Sequence, residues 1–186
     1  MADYAGFSEA SVLYADNHYL IERLEKIIKK DHTELFQALR ELIKEKEWMI
    51  SGNWKINISG TYFQLKYETE QGKKPFFISL RFAPGDLANK NKAEDKDGER
   101  RSFEITLMAR SDVSDIKEFR KQFFEKADVT LKEQFEIDRQ YFPNRSTGQT
   151  LVKKKAEYSL NDLLNVMETE VERFVKLAEY AKELAH

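Results

Sequence analysis

Side-chain catalysis needs ionisable or nucleophilic groups brought together, and histidine is the first place to look because it titrates near neutrality. The chain has three, His18, His32 and His186. No two stand at the i, i+4 spacing that sets paired imidazoles on one helix face for zinc, and there is no HExxH. Cysteine is absent, which excludes a thiol nucleophile, a Cys-ligated zinc and a disulfide framework. A hydroxyl nucleophile would need Ser or Thr beside His18 or His32, yet no G-x-S-x-G elbow frames any serine. His32 falls near a helix junction and reads as a capping or surface residue rather than a base.

Carboxylates could instead hold magnesium while a lysine orients the attacking water, as in nucleases that pair an acid with Glu-x-Lys or Asp-x-Lys on a later strand. Asp95-Lys-Asp97 and Glu99 supply the charge, but without an apolar strand around them. The strand bearing Glu104 reads Glu-Ile-Thr and lacks the lysine. Asp95-x-Asp97-Gly98 matches only the opening of a calcium loop. Phosphate cradles of the GxxxxGK[ST] and GxGxxG types are also missing. Asn144-Arg-Ser-Thr-Gly-Gln149 could offer backbone N–H groups and the Arg145 guanidinium to an anion, but its composition is equally that of a hairpin connection. The expectation is a protein without catalysis, metal or cofactor. An enzyme whose carboxylates converge only in the fold, such as a metal-dependent hydrolase, is a further alternative.

Charge bounds the partners. The 186 residues include 31 basic and 33 acidic side chains, a net charge of -2 that excludes a generally basic nucleic-acid binder. Any such activity needs a local patch, for which Arg100-Arg101, Lys73-Lys74, Arg145 and the run Lys153, Lys154, Lys155 are the candidates. Aromatic residues fall mainly at positions expected to be buried, leaving Phe77 as the evident stacking platform, whereas sheet-type single-strand binders present two or three. No basic region leads an apolar run at the start, and no stretch nears the roughly 20 apolar residues of a membrane span. A cytoplasmic protein without membrane contact is expected. On that reading the sequons at Asn57-Ile-Ser59 and Asn144-Arg-Ser146 are chance matches.

The elements that must position these residues are legible from periodicity. Leu20, Leu24, Ile27, Ile28, Leu35, Phe36, Leu39, Leu42 and Ile43 recur at helical intervals, so 17–46 is helical. A break at Lys29-Lys-Asp-His32 favours two successive helices over one kinked helix. After Ser51-Gly52-Asn53 the period becomes 2. Trp54, Ile56 and Ile58 form a first apolar row, Phe63, Leu65 and Tyr67 a second. Phe76, Ile78, Leu80 and Phe82 give a third, and Phe103, Ile105, Leu107 and Ala109 a fourth after a charged loop at 84–101. A helix follows over 114–127. Residues 129–142 are ambiguous with a lean to strand, Leu151-Val152 suggest a short fifth strand, and the last helix runs 160–184 from a Ser159/Asp162 start.

One α+β domain over 1–186 accounts for this pattern: an antiparallel meander of four to five strands with N- and C-terminal helices on one face, a two-layer sandwich. The opposite face then displays Lys55, Asn57, Gln64, Lys66, Phe77, Ser79, Arg81, Glu104, Thr106, Met108 and Arg110. The expected function is a binding or regulatory protein, with inhibition as one form of that regulation, that engages a protein partner through this polar face and the charged loop. Lys55, Lys66, Arg81, Glu104 and Arg110 would carry it. The alternative is a nucleic-acid module using Arg100, Arg101, Arg145 and Lys153 to Lys155.

Overall fold

The computed structural model describes residues 22–23, 30–82, 101–110, 113, 116–135, 150–159 and 161–184. Helix α1 covers 30–43 in its described part, and the short α2 is Glu47–Ser51. Strands β1 Trp54–Ser59, β2 Tyr62–Tyr67, β3 Phe76–Arg81 and β4 Arg101–Ala109 follow. Helix α3 Ile116–Phe135, strand β5 Thr150–Tyr158 and helix α4 Leu163–Leu184 complete the order. The strands form one antiparallel sheet in the order β1-β2-β3-β4-β5, so the fold is the expected α+β meander.

Alternation fixes the register, because a slip of one residue would turn each apolar row to the wrong side. Phe63 pairs with Leu80 and Leu80 with Ile105; Leu65 pairs with Ile78 and Ile78 with Leu107. All six are buried, at 1% exposure or less. Each contributes roughly 1.5–3 kcal/mol relative to an exposed position.

The helices reach the sheet through this inner face. Phe36 of α1 lies 6.0 Å from Phe63 and 6.0 Å from Phe82, and Phe119 of α3 meets Phe76 edge-on at 5.8 Å. Helix α4 packs on β3, β4 and β5 through Met167, Val171, Phe174, Val175 and Ala178, a stripe at three- and four-residue spacing. It starts where the Ser159 N–H donates to Asp162 Oδ1 at 2.7 Å, bending the chain out of β5. Lys46, after α1, bridges to Glu168 at 2.6 Å and Glu172 at 2.9 Å on α4.

Close packing explains the break before β1. A Cβ on Gly52 would sit 2.0 Å from the Trp48 carbonyl oxygen, so only glycine fits there. Asn53 then takes φ 57, a left-handed conformation that asparagine tolerates better than most residues.

Two expectations about these elements need correction. Residues 129–135 are helical, not strand, because α3 continues to Phe135. That phenylalanine is buried and lies 6.3 Å from Tyr180, on the multiple-of-four spacing that begins with Phe119 and Phe123. The fifth strand has nine residues rather than two, and takes Lys153, Lys154 and Lys155 into the sheet. The α2 turn of helix was not foreseen. His18, the 24–29 segment that decides between one helix and two, most of the 84–101 loop, residues 136–149 and His186 lie outside the described residues.

Candidate functional site: the outer face of the sheet

Residues that alternate with the inner row point the other way, and the pairing assembles them into three rows. Lys55, Lys66, Phe77 and Met108 are cross-strand neighbours, as are Asn57, Gln64, Ser79, Thr106 and Lys153. The third row is Ser59, Tyr62, Arg81, Glu104 and Lys155. The middle row is neutral and hydrogen-bonding except for Lys153 at its β5 end, and the rows on either side carry cations and one aromatic ring each.

Glu104 is the hub. It is only 7% exposed although it faces outward, because neighbouring side chains fold over it. Arg81 donates to its Oε1 from Nε at 2.9 Å and from Nη2 at 2.6 Å, and Lys153 pairs with its Oε2. Burial alone would push this carboxyl up, but the bonds from Lys153 and Arg81 outweigh that, and its pKa lies below the usual carboxylate range. At the end of β2, Glu68 is held low chiefly by its bond to Lys55, at 2.7 Å, with Lys74 further off at 3.8 Å. Arg110 stands over the Phe77 ring at 5.6 Å, a cation–π contact that covers the one aromatic singled out from the sequence.

The face is electropositive although the chain is slightly acidic. Outward strand positions hold the cations Lys55, Lys66, Arg81, Lys153 and Lys155 against the acids Glu104 and Glu157. Lys66 and Lys155 stand outside any ion pair among the described residues. The acids that balance the chain therefore lie elsewhere, and the field over this surface favours anions.

The structure brings Lys55, Lys66, Arg81, Glu104, Arg110, Lys153 and Lys155 onto one surface. Lys154 does not join them. It is opposite Ile105 on the inner side, where its Nζ donates to Glu170 Oε1 at 2.6 Å. The basic run before the last helix is thus strand, and its three lysines serve two faces. Arg101 is on β4 opposite Tyr158; Arg100 and Arg145 lie outside the described residues. Two members of the site escaped the sequence reading, Tyr62 and Glu68. Tyr62 had a usable signal, since it alternates with the buried Phe63.

His32 is a half-buried ring stacked on Phe82 at 4.8 Å, not a surface cap. Burial lowers its pKa, against a backbone hydrogen bond to Gly60 and the charge of Asp31. Among the described residues no group of three His, Asp or Glu side chains could hold a metal ion, and no helix is long and apolar enough to cross a membrane. No family model, curated protein or solved structure matches this chain significantly.

Proposed function

We propose that this chain is a binding protein whose outer sheet face docks an acidic surface on a protein partner, regulating the partner by occupying that surface. The observation that carries the reading is the excess of outward cations on a face the described helices leave open. Rigid strands hold these groups at fixed spacings, so little side-chain freedom is lost on docking.

A protein fits better than a nucleic acid. The Phe77 ring is already covered by Arg110, which leaves little stacking surface for bases. Complementary charge would chiefly speed encounter and set orientation.

Binding of polyglutamate and of a single-stranded oligonucleotide of matched length, measured over a salt series, tests this. The expected result is polyglutamate binding that weakens with salt and falls at least about tenfold in a Lys66→Glu, Arg110→Glu, Lys155→Glu variant, each reversal worth about 0.5 kcal/mol or more. Tighter oligonucleotide binding that Tyr62→Ala abolishes would replace the reading with a nucleic-acid one. Binding unaffected by the triple variant would overturn it.

A further inference from the structure

Beyond the outer face, the two edges of the sheet differ in how they are guarded. The β5 edge carries three consecutive lysines and lies beside a register shift at Leu107/Met108, two devices that discourage another strand from adding. The β1 edge has neither bulge nor proline, and its centre reads Ile56-Asn57-Ile58.

The direction of its backbone groups follows from the hairpin. Ser59 and Tyr62 flank a two-residue turn, and the Glu68 N–H donates to the Asn53 carbonyl at 3.0 Å. Hydrogen-bonded and non-bonded pairs alternate in an antiparallel ladder, so residues 53, 55, 57 and 59 bond to β2. The N–H and C=O groups of Trp54, Ile56 and Ile58 therefore point outward, toward a sixth strand.

Beside this edge lies a cavity of about 610 Å³ between α1 and β1. Its walls include Arg40 of α1, Lys44 just after it, Met49, and Lys55, Ile56 and Ile58 of the strand, with no acidic residue in the lining. Lys44 and Lys55 are each paired with a glutamate, Glu41 and Glu68. Arg40 has no ion-pair partner among the described residues and is exposed. Ile56 and Ile58 are half-buried, and Ile50 of α2 is 74% exposed at the end of the same edge. Apolar side chains, outward backbone groups and cations without lining acids are the features that capture an extended acidic segment.

We infer that the β1 edge binds an extended peptide of alternating apolar and acidic residues as a sixth strand, its apolar side chains against Ile56, Ile58 and Met49 and its carboxylates within reach of Arg40 and Lys55. A second copy of the chain is disfavoured, because two-fold pairing through β1 would bring Arg40 and Lys44 of each copy toward their equivalents.

The probe is a blocked, labelled peptide of Glu-Val repeats, with Lys-Val repeats as control, followed by fluorescence anisotropy against the full chain. Ile58→Pro removes one outward N–H without touching the ladder to β2, so the hairpin survives. Arg40→Glu reverses the exposed cation as a second, structurally mild variant. Glu-Val binding that drops at least tenfold in each variant, while the outer-face triple variant still binds, is the expected result. Loss in the triple variant alone would assign the peptide to the outer face and overturn the edge site while leaving the proposed function standing. Equal binding of Lys-Val repeats, no binding of Glu-Val repeats, or self-association abolished by Ile58→Pro would each overturn it as well.

Discussion

Lys153 and Lys154 are neighbours in the chain, yet their ammonium groups end on opposite faces of the sheet, each on a buried glutamate that an arginine also holds. On the outer side Glu104 takes Lys153 and Arg81. On the inner side Glu170 takes Lys154 at 2.6 Å and Arg173 at 2.7 Å. The two carboxylates are equally buried, with side chains 8% exposed, but their cations are not. Lys154 and Arg173 are 15% and 21% exposed, whereas Lys153 and Arg81 are 43% and 59% exposed. The inner triad is sealed under α4 and strongly coupled to folding. The outer one keeps its cations largely in water, where each pair contributes little to stability and remains available to a partner.

The largest effect expected from breaking this comparison is at Glu170. Its change to Ala leaves Lys154 desolvated without the carboxylate it bonds to and should cost about 3–5 kcal/mol in denaturant unfolding. Replacing Lys154 and Glu170 together with Met and Leu should recover most of that loss, because the buried charge pair is then absent rather than half removed. Next comes the pair of neighbours on β2. Leu65→Ala, on the inner face, should cost about 2–5 kcal/mol, while Gln64→Ala, one residue away on the outer face, should stay within about 0.5 kcal/mol.

Glu104→Gln sharpens the contrast through pH. The folded pKa of Glu104 is depressed, so its stabilisation is present above the unfolded value of about 4.3 and is lost as pH falls through the folded one. The variant should lose about 1–2 kcal/mol at neutral pH, show a flatter acid limb, and bind polyglutamate more tightly. The smallest effect is at His32. Its folded pKa lies below the unfolded value of about 6.5, so the unfolded chain takes up the proton first. Stability should therefore decline as pH drops below about 6.5, and His32→Phe should remove that slope from the melting temperatures.

The strands were legible because Phe76, Ile78 and Leu80 alternate with Phe77, Ser79 and Arg81, a period that leaves one choice of inner face. Most of the outer-face residues followed directly from the same alternation. The run Lys153-Lys154-Lys155 hid β5, since three like residues have no period and only Glu170, sixteen positions beyond Lys154, makes an inward lysine tolerable. Residues 129–135 carried both spacings, and the burial of Phe135 against Tyr180 on a distant helix settles them as α3. Nothing local marks β1 as an edge or places α1 beside it, because strand order and helix docking are long-range outcomes.

The central claim is that the outer face is the docking surface, and amide shifts during a polyglutamate titration test it most directly. The account predicts salt-sensitive shifts at Lys66, Phe77, Arg81 and Lys153, with α4 unperturbed. Shifts confined to the helices, or none across β2 to β5, would contradict it.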